Sequence, residues 1–204
     1  DGKNIHKECG SMHPTLMCHK IWEHRADLGI AHDGDADRVL LCDEKGNLID
    51  GDDIMAMAGL DLLAQGMLAK KTLVTTVMTN AGLEAAIAAA GGRLVRTPVG
   101  DRQVIDEMLR HGYNFGGEPS GHMVFRDYST TGDGLVAALQ ILRIMRTKEQ
   151  PLSKLAQCWT RLPQVLSNIG VREKRPFAEL DKVGQLVADA EAELKGQGGR
   201  VLLR

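Results

Sequence analysis

Three aspartates, Asp33, Asp35 and Asp37, alternate with Gly34 and Ala36 in the run His32-Asp33-Gly34-Asp35-Ala36-Asp37-Arg38. In an extended loop, alternate side chains leave on the same side, so the three carboxylates can converge on one hard cation. Held together without one, they raise each other's pKa unless an arginine compensates. Oxygen ligands alone select magnesium, calcium or manganese over zinc. The same acids also fit positions one, three and five of a helix–loop–helix calcium loop, with Glu44 at position twelve. That loop needs glycine at position six, where Arg38 stands, and the flanks Gly29-Ile30-Ala31 and Val39-Leu40-Leu41 read as strands. A solvated acidic turn is the plain alternative, although two apolar strands make a poor setting for unpaired charge.

The elements that must position this loop follow from periodicity. Asp27 to Ala31 is short and apolar, Val39 to Cys42 reads as a strand, and Glu44-Lys45-Gly46-Asn47 as a hairpin turn. Asp52 is expected to cap a helix running to about Leu68. Strands are predicted at Thr72–Met78, Leu94–Thr97, Asn114–Phe115 and Met123–Phe125. Helices are predicted at Ala81–Ala90, stopped by Gly91-Gly92, and at Asp101–His111, ended by Gly112. A long amphipathic helix capped by Thr131 or Asp133 should run to Lys148, with Leu135, Leu139, Leu142 and Met145 on its buried face. The alternation argues for an α/β fold, a mixed and mostly parallel sheet with flanking helices over residues 48–160, with partial domains before and after. Beyond Pro163, a strand at Val165–Val171, a helix at Phe177–Leu194 and a strand at Val201–Leu203 would form a βαβ unit.

The bulk properties narrow the setting. The chain has 204 residues, 43% apolar and 25% charged, with a formal net charge of -2. Mixed charge of this size gives no electrostatic case for nucleic acid, and no apolar run is long enough for a membrane span. Cys9, Cys18, Cys42 and Cys158 form no CxxC pair. A zinc site from Cys9, His13, Cys18 and His19 has spacing that matches no common finger or ribbon. Free thiols fit a reducing, cytoplasmic setting. The chain opens on Asp1 and not Met, so a piece of a longer protein is expected.

Three strings carry a resemblance. Asp33-Gly34-Asp35-Ala36-Asp37-Arg38 resembles the magnesium loop of the α-D-phosphohexomutases, Gly117-Glu118-Pro119-Ser120-Gly121-His122 their sugar-binding loop, and Thr97-Pro98-Val99-Gly100-Asp101-Arg102 a loop facing the active site. Gly10-Ser11-Met12-His13-Pro14, Gly100-Asp101-Arg102 and the run Asp127 to Gly134 are similar to the bacterial branch that handles glucosamine phosphates. The branch for mannose and glucose phosphates has histidine where Asp101 stands. Pro119 stands where glutamine is usual in the glucosamine branch.

The resemblance implies a family of four domains around one cleft. It assigns residues 1–47 to the end of the second domain with the metal loop, 48–160 to the third with the sugar loop, and 161–204 to the start of the fourth. The serine that carries phosphate and the phosphate-gripping loop of the last domain match no segment here, so the missing domains of the same polypeptide are implied partners. The implied reaction interconverts glucosamine 6-phosphate and glucosamine 1-phosphate through a phosphoserine and a bisphosphate. Implied roles are Mg2+ on Asp33, Asp35 and Asp37, Arg38 toward the phosphate, and Glu118, Ser120, His122, Asp101 and Arg102 toward the phosphosugar. Arg38 reads equally as a structural partner of the aspartates, His122 as a brace, and Asp101 as a helix cap. A mutase for mannose or glucose phosphates, or a non-catalytic metal- or sugar-binding module, are the alternatives, and a homo-oligomer stays open.

Overall fold

The computed structural model describes residues 4, 7–173, 176, 179–196 and 199–203. These divide into two compact units, Asp1–Arg161 and Leu162–Arg204.

The first unit opens with helix α1 (Thr15–His24), which the periodicity does not announce because Ile21 is its one buried residue among those described. Strands β1 (Leu28–His32), β2 (Val39–Asp43) and β3 (Leu48–Ile49) form an antiparallel sheet in that order. The register pairs Leu28 with Asp43 and His32 with Val39, so residues 33–38 are the hairpin loop at one end. Every residue of β2 is buried, which is why its sequence reads as a continuous apolar run and not an alternation.

Helix α2 (Gly51–Ala64) begins at Asp50, not at Asp52. Asp50 Oδ1 accepts from the Asp52 and Asp53 amides at 3.0 and 3.2 Å, and Asp53 Oδ2 accepts from the Asp50 amide at 3.1 Å. This reciprocal capping box satisfies donors that the helix leaves open. The helix stops at Ala64, short of Leu68. Asp52 faces inward and accepts the Asn80 amide at 3.1 Å.

The second sheet has the order β5-β4-β6-β7, from β4 (Thr72–Thr76), β5 (Arg93–Thr97), β6 (Phe115–Gly117) and β7 (Met123–Phe125). β4 is parallel to β5 and β6, and β7 is antiparallel to β6. Helices α3 (Ala81–Ala89), α4 (Asp101–His111) and α5 (Gly134–Lys148) follow β4, β5 and β7. The mixed, mostly parallel sheet with flanking helices is therefore present. The core gathers Leu73, Phe115 and Met123 of the sheet with Ile54 and Met55 of α2 and Ile141 of α5. α2 is buried on several faces, Asp52 and Asp61 included, as a helix with neighbours on several sides must be.

The buried face of α5 differs from the expected one, although Met145 still packs against the core. α5 buries Ala137, Ala138, Ile141 and Ile144, while Leu135 and Leu139 are exposed. Small alanines let α5 approach α2, β2 and β7 closely, and that close stripe wins over the bulkier leucine stripe. Its cap is Asp133, whose Oδ1 accepts the Val136 amide at 2.9 Å.

After the short helix α6 (Leu152–Leu155) the first unit ends at Arg161. In the second unit, the expected strands at Val165–Val171 and Val201–Leu203 are not formed. A strand needs a neighbouring edge for its backbone groups, and the described residues of this unit supply none; Val165 is 92% exposed. Helix α7 (Asp181–Lys195) does form. Residues 177 and 178, the expected helix start, lie outside the described residues. Among the described residues no helix is long and apolar enough to cross a membrane.

Candidate metal and sugar site

The carboxylates of Asp33, Asp35 and Asp37 bring one ligand atom each within 4.8 Å of one another. They converge by a different route from the one expected. The loop is a tight turn and not an extended run: the Ala36 amide donates to the Asp33 carbonyl at 3.3 Å, and Ala36 has φ 60°. Alanine is small enough to tolerate that left-handed geometry, at a cost. The loop's flanks are strands, and Glu44 is engaged elsewhere: it accepts the Ser153 amide at 3.2 Å and the Ser153 hydroxyl. Both facts remove the helix–loop–helix calcium reading. Cys9, His13, Cys18 and His19 form no metal-holding group among the described residues.

Arg38 folds back over the acids. Its amide donates to Asp33 Oδ1 at 3.1 Å, and its Nε lies 3.6 Å from Asp33 Oδ2 and 3.8 Å from Asp37 Oδ1. Neither separation is a hydrogen bond, and both Arg38 Nε and Asp37 Oδ1 are buried without a hydrogen-bond partner. Burial pushes the Asp37 carboxyl above its ordinary value, and the charges of Asp33 and Asp35 add to that, against the pull of His122. An oxygen-only set with an unpartnered buried carboxylate oxygen fits a hard divalent cation.

The loop of residues 117–122 is joined to this turn through the backbone. The Val39 amide donates to the Gly121 carbonyl at 3.1 Å, and Arg38 and His122 form an antiparallel bridge. Gly121 has φ +97°, and a Cβ there would sit 2.3 Å from the Val39 carbonyl oxygen; only glycine makes both the turn and the approach. The Gly51 amide at the start of α2 donates to the Pro119 carbonyl at 3.2 Å, and the Gly134 amide at the start of α5 donates to the Ala36 carbonyl at 3.0 Å. The start of α2 thus holds one loop and the start of α5 the other.

Within the junction Glu118 is 6% exposed and accepts the Gly100 amide at 3.1 Å. Burial, and then a hydrogen bond with Asp101, push its carboxyl up to about 7. The same hydrogen bond holds Asp101 below the ordinary aspartate value. His122 is buried, with Nε2 3.6 Å from Asp37 Oδ2 and Nδ1 3.8 Å from Asp101 Oδ1. A Cβ on Gly132 would lie 2.0 Å from His122 Nε2, so the ring sits flush on the chain there. Asp37, Asp101 and His122 make a second close group.

Asp33, Asp35, Asp37, Arg38, Asp101, Glu118 and His122 are therefore in one place, and Ser120 is exposed at the tip of the loop. Arg102 is not with them: its side chain is 90% exposed, 3.6 Å from Asp106. Sequence reasoning gave no role to Gly132 and Gly134, although the run Asp127 to Gly134 was a recognisable string. It also passed over His32, whose Nδ1 lies 3.0 Å from the Arg38 carbonyl.

Residues 50–162 match the family profile described as Phosphoglucomutase/phosphomannomutase, alpha/beta/alpha domain III. A phosphoglucosamine mutase of Anaeromyxobacter dehalogenans (strain 2CP-C) is 57% identical over 204 residues, all of this chain and 44% of that protein. The chain spans less than half the length of the curated relatives it matches. A phosphoglucomutase/phosphomannomutase family protein from Burkholderia thailandensis superposes with TM-score 0.67 at 23% identity, over 78% of this chain and 34% of that one. Aspergillus fumigatus N-acetylphosphoglucosamine mutase, solved with GlcNAc-6P and magnesium, superposes with TM-score 0.65 at 20% identity, over 89% of this chain and 45% of that one. At such identities these likenesses show the fold alone.

Proposed function

Because the chain belongs to the phosphoglucomutase/phosphomannomutase family through its domain III, we propose that it supplies the metal loop and sugar-reading loop of a phosphoglucosamine mutase. The reaction interconverts glucosamine 6-phosphate and glucosamine 1-phosphate through a phosphoserine and a bisphosphate intermediate. The reading rests on one observation: the backbone junction of Val39 with Gly121 sets the turn of the three aspartates against the loop that carries Glu118. Relatives of that name, 51% and more identical along the whole chain, support the amino-sugar assignment.

Asp33, Asp35 and Asp37 would hold Mg2+, and its presence in a complex of the Aspergillus protein supports that choice of ion. When bound, the ion neutralises charge on the oxygens of a transferring phosphoryl group. Arg38 holds the carboxylates together and offers its remaining donors to a phosphate. Glu118 and Ser120 hydrogen-bond sugar hydroxyls, and the buried ring of His122 fixes the loop that carries them. Residues 1–47 close the second domain, 48–160 form the third and 161–204 begin the fourth. The remaining domains complete the cleft, and the setting is the cytoplasm.

The full-length protein carrying this segment should turn over glucosamine 6-phosphate with Mg2+. Asp35→Asn should weaken Mg2+ binding, since one of three charged oxygen ligands is lost, and reduce turnover with it. A strong preference for mannose phosphate, or turnover indifferent to Asp35→Asn, overturns the reading.

A further inference from the structure

The last residues of the first unit, Trp159, Thr160 and Arg161, run back across the starts of α2 and α3. A Cβ on Gly82, in the first turn of α3, would lie 2.0 Å from the Thr160 carbonyl oxygen, so the chain is pressed against that helix. Trp159 donates through Nε1 to Asp53 Oδ1 at 2.9 Å. Arg161 lies over the Trp159 ring, 4.9 Å from its centroid. One guanidinium nitrogen donates both to Asp50 Oδ1 at 2.8 Å and to Asp53 Oδ2 at 3.1 Å. These are the two carboxylates of the α2 capping box. The other terminal nitrogen is 3.8 Å from Asp52 Oδ2.

The turn needs such a partner. The side chains of Asp52 and Asp53 are 3% and 14% exposed. Burial, and then the charge of Asp50, push the Asp53 carboxyl above its ordinary value, against the pull of Arg161. Acids at a helix start are drawn to its dipole but repel one another. Without Arg161, buried charge is left uncompensated at that turn.

The same turn holds the loop of Glu118. Gly51, the first residue of α2, donates its amide to the Pro119 carbonyl at 3.2 Å. A Cβ on Gly51 would lie 2.1 Å from the Glu118 carbonyl oxygen, so helix and loop meet backbone to backbone. Close-packed structure passes strain on, and a shift in the first turn of α2 reaches Glu118 and Pro119 directly.

We propose that Arg161 is a positioning residue for the phosphosugar: by clamping the capping box of α2 it fixes, through Gly51, the backbone that presents Glu118 and Ser120. The inference rests on the mutase reading for its ligand.

The test uses the full-length protein with Arg161→Ala, Arg161→Lys and Arg143→Ala. Arg143 pairs at 2.7 Å with buried Asp61 in the last turn of α2, so its loss uncovers a charge at the opposite end of the same helix. Contacts to the sugar serve ground and transition states alike. Arg161→Ala should therefore raise KM for glucosamine 6-phosphate roughly 2- to 30-fold with kcat nearly unchanged. Arg161→Lys keeps the charge but not the bridging fork; it should give a smaller rise, and it carries the test if Arg161→Ala does not fold. Arg143→Ala should lower stability to urea with KM unchanged. Amide hydrogen exchange of residues 117–122, where the Glu118 amide donates to the His122 carbonyl at 2.9 Å, should quicken in Arg161→Ala and not in Arg143→Ala. Unchanged exchange in Arg161→Ala, an unchanged KM in an active protein, or an equal effect of Arg143→Ala overturns the proposal. Faster exchange in Arg161→Ala, with an unaltered protein that does not turn over glucosamine 6-phosphate, supports the clamp and overturns the mutase reading.

Discussion

Replacing Glu118 by glutamine should make the fold more tolerant of alkali, by an amount the site determines. The Glu118 carboxyl rises from 4.5 to about 7, chiefly by burial and then by its bond to Asp101. Between those values the folded chain keeps a proton that the unfolded chain has released. Unfolding therefore releases a proton, and stability falls as pH climbs through that window. At 1.36 kcal/mol per pKa unit the full cost above pH 7 is about 3 kcal/mol, of which about 2 to 3 kcal/mol develops between pH 5 and 8. Asp101 lies below 3.8, so it is ionised in both states across this range and adds no slope. Asp52, pushed up to about 6 mainly by burial, slopes the same way as Glu118, but it does so in both proteins and cancels. Glutamine can still accept from Gly100 and donate to Asp101. Urea unfolding of both proteins at pH 5 and pH 8, with a chelator present, reads the difference directly. The variant should gain about 2 to 3 kcal/mol on the parent between the two pH values. A difference unchanged within about 0.5 kcal/mol would refute the reasoning, because Glu118 would then titrate as an ordinary surface acid.

Gly121→Ala strains a residue at φ +97° and drives a Cβ to 2.3 Å from the Val39 carbonyl. It should cost about 2 to 4 kcal/mol in urea unfolding, from backbone strain and a weakened hydrogen bond; a loss below about 0.5 kcal/mol contradicts the junction. Asp50→Ala removes one half of a capping box and a 2.8 Å contact with Arg161. It should cost about 1 to 2 kcal/mol, whereas Asp50→Asn, which keeps the cap, should lose less in the same unfolding experiment. Asp35→Asn should lower Mg2+ affinity in calorimetry without lowering metal-free stability, since it relieves repulsion that Asp37 feels. A metal-free loss comparable to that of Asp50→Ala would show Asp35 to be structural.

Much of the site could be read from the chain because its chemistry is local. Alternating acids between two apolar runs announce a gathering of three carboxylates, although the turn at Ala36, and not an extended strand, brings them together. The junction with the loop of Glu118 is harder to read, since a backbone bond from Val39 to Gly121 leaves no mark but a glycine. α5 shows a different limit. Its alanine–isoleucine and leucine stripes are both apolar, and close approach to α2, not hydrophobicity, decides between them. Asp50, Asp52 and Asp53 can each cap α2, and the reciprocal Asp50–Asp53 pair settles which one does. In the second unit, β-branched residues such as Val165 and Ile169 suggested a strand, but strand propensity has no force without a partner edge.

The central claim is that Asp33, Asp35 and Asp37 share one divalent ion beside the sugar reader Glu118. Crystals of the full-length protein soaked with Mn2+ and glucosamine 6-phosphate, with anomalous diffraction at the manganese edge, test it most directly. The account predicts an anomalous peak among the three carboxylates and sugar hydroxyls on Glu118 in the same cleft. A peak away from the aspartates, or a sugar bound remote from Glu118, would contradict it.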